Sequence, residues 1–297
     1  MRKYAGEIGL LLVAVIWGTG FVAGAVSLET LTPYQVMAIR FFIGACLMSV
    51  IFMKHFRSLT RSAVGAGIVL GIFLFFAFML QTLGLQYTTP SKNAFLTAVN
   101  VVIVPFIGYM LYRRGIDKFG LIGAVLAILG VGVLSLEMRL SLNLGDGLTL
   151  LCAICFAFHI FFTCEFVKKH PPIGLTIIQM ITAFALSLLV VLFRGEALHV
   201  NIDSKGLLAA VYLGVFSTTL AFLLQTIAQK YTSETKAAII LSTEALFGTL
   251  FSILILNEVL TARMIMGSIL ILAAIITAET KLSFLQNKTS RRYYGDH

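Results

Sequence analysis

One carboxylate stands in the middle of a long apolar run: Glu244, within "AAIILSTEALFGTLFSILIL" at residues 237–256. An ionisable group at membrane depth is costly, so it faces a cavity or a partner. Counted along a helix over 234–256, Glu244 is eleven residues in, about 15 Å at 1.5 Å per residue. That is the middle of a bilayer. Two roles fit a carboxylate there: it pairs with a cationic group of a substrate or exchanges a proton with it, or it is a structural group bonded to a neighbouring Ser or Thr. On the run at 91–111, Asn93, Thr97 and Asn100 fall at i, i+4 and i+7 and form one polar stripe. Gln81 and Gln225 are amides suited to lining the two ends of a path or to bonding helices together. Trp17, the single tryptophan, is deeper than the interfacial belt where tryptophan anchors, a place for stacking on a solute or for core packing. Cys152, Cys155 and His159 share a face at i, i+3 and i+7, but no fourth ligand accompanies them. Neither a metal nor a cofactor is expected. His159 is mid-span, open to a cavity-lining or a structural role.

These residues need a scaffold that crosses a membrane. The 297-residue chain is 59% hydrophobic and 12% charged, with mean hydropathy +0.98. That composition excludes a water-soluble globule. Ten apolar stretches approach or reach the roughly 20 residues a spanning helix needs: 8–28, 34–53, 63–86, 91–111, 118–137, 145–167, 173–193, 205–228, 234–256 and 261–282. The net charge of +9 is one of placement rather than of nucleic-acid binding. Sixteen Lys and Arg fall on the side of the N-terminus and six on the other, which puts both termini in the cytoplasm and the chain in the plasma membrane. On this count Arg40 snorkels to the outer interface, and Glu258 and Arg263 form a surface pair at the outer turn.

The chain also repeats itself. "AFMLQTLGLQYTTPSKNA" at 77–94 returns 144 residues later as "AFLLQTIAQKYTSETKA" and Ala238, with nine of eighteen positions identical. The offset carries on through Gly123/Gly267 and Leu126/Leu270, so each half holds five helices. An odd number per half inverts the second copy, as in many secondary transporters. The expected fold is all-α integral membrane, ten transmembrane helices as two inverted five-helix repeats: residues 1–142, then 143–282, then a cytoplasmic tail at 283–297. Asn100 and Glu244 occupy equivalent positions of the two copies. Glycines at 20, 24, 67, 71, 123, 130 and 132 promise close helix approach.

No G-x-x-x-x-G-K-[ST] loop, serine elbow or H-E-x-x-H motif is present, which argues against direct ATP drive and familiar hydrolytic chemistry. "AIRFFIGACLM" at 38–48, "TTPSKNAFLTAVNVVIVPFIGYML" at 88–111, "GAVLAILGVGVL" at 123–134 and "STEALFGTLFSILILNEVLTARMIMGSILILAAI" at 242–275 together resemble the EamA family of the drug/metabolite transporter superfamily. Ala245 stands where a proline often follows the Glu in that family, and Asn257 replaces the Gly of its turn. The resemblance implies a central cavity between the halves and a secondary transporter, an exporter of small metabolites such as amino acids, working by alternating access with Glu244 as the proton-coupling candidate. Its partners would be the solute and the lipid bilayer, with the protein a monomer or homodimer. A lipid-intermediate flippase is the alternative, followed by an intramembrane enzyme built on Glu244 and His159. The substrate-binding candidates are Trp17, Gln81, Asn93, Thr97, Asn100, His159, Gln225 and Glu244.

Overall fold

The protein was analysed as a computed structural model, which describes residues 2–113, 115, 118–135, 143–196, 204–232, 237 and 240–280. The described residues are helical, with no strand among them. In lipid this follows from chemistry: no water satisfies backbone N–H and C=O groups, so the helix satisfies them internally. The 283–297 tail and Lys236 of the second phrase lie outside the described residues.

The helices are α1 (Arg2–Leu28), α2 (Pro33–Ile51), α3 (Arg61–Leu85), α4 (Pro90–Ala98), α5 (Asn100–Tyr112), α6 (Lys118–Ser135), α7 (Leu144–Phe166), α8 (Pro172–Arg194), α9 (Ser204–Tyr212), α10 (Ala221–Gln229), α11 (Glu244–Leu256) and α12 (Ala262–Thr280). Seven crossings are long and apolar enough to span a membrane, counting Pro90–Tyr112 and Lys205–Gln229 as single crossings. Three shorter apolar helices, Leu121–Val133, Ile240–Leu256 and Ala262–Thr277, complete the bundle. Caps set several starts. Thr32 accepts from the backbone N–H of Gln35 while the Gln35 side chain returns a bond to the Thr32 backbone, with Pro33 opening the helix.

The outer surface of the bundle is apolar: Phe193 is 88% exposed and Ile128 71%. In water this would be an aggregation surface, and in a bilayer it faces lipid. Inside, α3 packs on α7 and α8, α1 on α10 and α11, and α6 on α12. Small residues permit the closest approaches. A Cβ on Gly71 would lie 2.5 Å from the Thr182 Cβ, and one on Gly130 would lie 2.9 Å from the Ile271 backbone N.

Two expectations of unbroken helices need correcting. The crossing at 90–112 is interrupted at Val99, and the one ending at Leu256 is interrupted at Thr243. At each break the hydrogen bonds tighten by one residue. Val99 N–H bonds the Leu96 carbonyl at 3.3 Å and Val102 N–H the Val99 carbonyl at 3.0 Å; Thr243 N–H bonds Ile240 at 3.2 Å and Leu246 N–H bonds Thr243 at 3.0 Å. Pro105 lies inside the first of these crossings, where it lacks an N–H and crowds the carbonyl of Val101. The second bends without a proline, because the Thr243 hydroxyl donates to the Ile240 carbonyl at 2.6 Å and competes with the helical ladder. Between α9 and α10 the chain widens into a π-helical stretch, Leu213–Leu220, in which the Thr219 hydroxyl donates to the Gly214 carbonyl at 2.7 Å.

Candidate functional site

The two breaks put polar residues at the starts of half-helices. Asn100 opens α5 and Glu244 opens α11, both near the middle of their crossings. A carboxylate in the first turn of a helix meets the positive end of its dipole. Both residues line one cavity, concave and mostly apolar with a few convergent polar groups, as small-molecule sites are. The Glu244 carboxylate, 6% exposed, makes no hydrogen bond or ion pair with the described residues; no Ser or Thr hydroxyl ties it down. The Asn100 side-chain carbonyl is likewise buried and without a partner.

The rest of the wall comes from α1, α2, α3, α7 and the π-helical stretch. Trp17 lines it, its indole N–H donating to the Ser217 carbonyl at 3.0 Å and its ring 5.0 Å from that of Phe222. Gln81 lines it too, with its amide donating to the Thr97 hydroxyl at 3.1 Å. The remaining wall is mainly apolar, including Phe21, Phe78, Leu85, Phe156, Ile160, Leu213 and Leu241. Ile160 and Leu241 also belong to a packed cluster with Leu10, Val13, Ile107, Phe161 and Ala228, which fills the bundle on the side of the N-terminal half of α1. The cavity therefore lies in the middle and in the half opposite the N-terminus.

Four of the eight sequence-derived candidates, Trp17, Gln81, Asn100 and Glu244, meet at this cavity. The other four do not line it. Asn93 donates to the Thr149 hydroxyl at 2.9 Å and to the Gln81 carbonyl at 3.3 Å, and so stitches α4 to α3 and α7. Thr97 is buried as the acceptor for Gln81, so the stripe of three splits into two bundle ties and one cavity group. His159 is fully buried, with its Nε2 2.9 Å from the Gln179 Oε1 and its ring 5.6 Å from that of Phe222. Gln225 is fully buried, and neither atom of its amide has a partner.

Arg40 is the residue that sequence reasoning misplaced. It does not snorkel: it is 4% exposed and lines the cavity. Its Nε donates to the Thr218 hydroxyl at 2.9 Å, and its guanidinium carbon lies 3.8 Å from the centroid of the Phe78 ring. The signal was there in an arginine eight residues into α2, too far along to be assigned to the interface by counting alone. At the outer turn Glu258 accepts from the Ser91 backbone and hydroxyl at 3.3 and 2.8 Å, and from the Ser252 hydroxyl. Cys152 and Cys164 are buried, with the Gln229 amide donating to the Cys164 Sγ at 3.2 Å, and no cluster of three His, Cys, Asp or Glu among the described residues could hold a metal.

Comparison with known proteins matches the chain twice to the EamA-like transporter family, over residues 4–136 and 143–279. An uncharacterized transporter of Archaeoglobus fulgidus is 34% identical over 283 residues, covering 95% of this chain and 87% of its own. An uncharacterized transporter of Clostridium kluyveri is 24% identical, covering 92% and 91%. A solved crystal structure superposes with a TM-score of 0.69 at 17% identity, covering 95% of this chain and 99% of its own, a likeness of fold alone.

Proposed function

The chain belongs to the EamA-like transporter family, and from that premise we propose that it is a secondary transporter that moves a small metabolite by alternating access. What carries the proposal is the pair of matching helix breaks. Val99 and Thr243 are 144 residues apart, as are the polar residues that follow them, and both of those face one mid-membrane cavity. The left-handed residues that end α5 and α11, Arg113 and Asn257, keep the same spacing. Seven long and three shorter apolar helices fit ten crossings in two inverted halves, 1–142 and 143–282, with residues 283–297 as a tail. The packing supports such halves: α1 against α11 has its counterpart in α7 against α4 and α5.

Inverted halves give the mechanism. Both halves meet in the cluster that closes the N-terminal face, Leu10, Val13 and Ile107 from the first with Phe161 and Ala228 from the second, and exchange of conformations between the halves would open that face and close the other. Glu244 is the group for solute and proton: a buried carboxylate that no described residue pairs is free to take a cationic group or a proton from the cargo. With the termini in the cytoplasm of a plasma-membrane protein, the cavity faces outward; export is the direction that the resemblance to the family implies. The protein works as a monomer or homodimer.

Flux into reconstituted vesicles, across a panel of amino acids and nucleobases, tests this. At least one compound is expected to show saturable flux, and Glu244→Gln to lower its rate at least tenfold or abolish its dependence on a proton gradient. Wild-type rate and pH dependence in Glu244→Gln would remove the role of Glu244. Absence of saturable flux for every compound would remove the metabolite reading, and a lipid flipped in the same vesicles would put the flippase in its place.

A further inference from the structure

We propose that Arg40 is the anion-binding residue of the cavity and that the transported solute carries a carboxylate, an inference that rests on the cavity being the solute site. Arg40 is buried in a helix of the bundle and lines the cavity. A guanidinium stays charged at any physiological pH, and a buried charge requires compensation. The protein supplies only part of it: the Thr218 hydroxyl takes Nε and the Phe78 ring lies against the guanidinium. Nη2 is buried and has no hydrogen-bond partner. Among the described residues no carboxylate lies within ion-pair distance of Arg40; Glu244 lines the same cavity but is not bonded to it.

A planar fork of donors that the protein leaves only partly satisfied matches a carboxylate in geometry and in charge. Among the described residues the cavity wall holds one cation, Arg40, and one acidic residue, Glu244. A singly charged carboxylate balances the first, and an amino group on the same solute would balance the second. A phosphate dianion would leave a negative charge uncompensated, since no second Lys or Arg among the described residues lines the wall. Arg40 and Glu244 sit near the middle of their crossings, so a solute carrying both groups can bridge the cavity. Phe78 and Thr218 position the guanidinium.

Trp17 is the only tryptophan and lines this cavity, so its fluorescence reports on occupancy. Purified protein is titrated with the standard amino acids, with their amides, which lack the carboxylate, and with the matching acids that lack the amine. At least one amino acid is expected to change the emission saturably, and its amide to bind roughly 10- to 100-fold more weakly, the loss of a charge-assisted bond. Arg40→Gln is expected to erase the difference between acid and amide, and Arg40→Lys to restore part of it. The proposal is overturned if no carboxylate-bearing compound changes the emission, if acid and amide bind the wild type equally, or if Arg40→Gln binds the acid as tightly as wild type. The acid–amide comparison on wild-type protein needs no variant to fold. Saturable flux of a solute without a carboxylate would overturn the role of Arg40 and keep the transporter. Carboxylate binding at Trp17 without flux in vesicles would keep Arg40 and remove the transporter.

Discussion

Gly18 offers a direct test of how the site is built, because it lies where α1 meets the half-helix that Glu244 opens. A Cβ added there would be 2.5 Å from the Phe247 Cβ and 2.9 Å from the Gly248 backbone N. Ordinary contact begins near 3.4 Å, so Gly18→Ala must part α1 and α11 by roughly 1 Å, and the obstacle is mostly backbone that cannot rotate away. Such overpacking costs about 1–3 kcal/mol. Gly65→Ala is the control, since nothing lies within 4 Å of its Cβ. Both variants gain the same helix propensity of about 0.5–1 kcal/mol, so their difference isolates the steric cost. Gly18→Ala should melt below Gly65→Ala in detergent, by roughly 2–4 °C per kcal/mol. Its function should fall further than its stability. Phe247 is one turn from Glu244, and a shift of about 1 Å between Trp17 and Glu244 is of the size that can cost about 100-fold in a positioned site. Vesicle flux at least tenfold below that of Gly65→Ala is expected. Equal melting and equal flux in the two variants would refute the claim that contact between α1 and α11 sets the cavity.

Two further outcomes follow from buried polar groups. Asp146 is fully buried between the Lys92 ammonium at 3.0 Å and the Thr88 hydroxyl at 2.6 Å, so Lys92→Met, which strands a buried carboxylate, should destabilise the protein by about 3 kcal/mol in thermal unfolding; Lys92→Met with Asp146→Leu should recover most of it, and failure to recover would mean that Asp146 serves more than the pair. Gln225 is a buried amide with no partner, so Gln225→Leu should raise the melting temperature, by about 1–3 kcal/mol of relieved desolvation, and lower flux if the amide meets solute in the opposite conformation; an unchanged melting temperature would show that water already satisfies it.

Where periodicity decides, the sequence was legible. Apolar length sufficed for the crossings, and the 144-residue offset picked out Asn100 and Glu244 as equivalent polar positions, which the structure places together on one cavity. The family proline missing after Glu244 made the bend of that helix hard to foresee. The bend is there all the same, because Thr243 reaches back to the Ile240 carbonyl, a local side-chain choice with no composition signature. The polar stripe of Asn93, Thr97 and Asn100 does not face the cavity as a unit, since only Asn100 lines it. Its upper two members are consumed by Thr149 and Gln81, partners contributed by other helices. The run at 73–78 is rich in Phe, and composition treats its members alike. Phe76 is half exposed, whereas Phe78 lies against the Arg40 guanidinium.

The membrane class, the approximate crossings and the repeat follow from the sequence alone, because hydrophobic length and internal similarity are properties of the chain read in one dimension. Which polar groups face the cavity, and which are spent holding the bundle, was decided only by tertiary structure. A hydrogen bond depends on where a second helix places its donor or acceptor, and no spacing along a single helix encodes that. Arg40 marks the division: its place eight residues into α2 leaves both snorkelling and burial open, and only the approach of Phe78 and Thr218 from two other segments makes it a buried cation in the wall of the cavity.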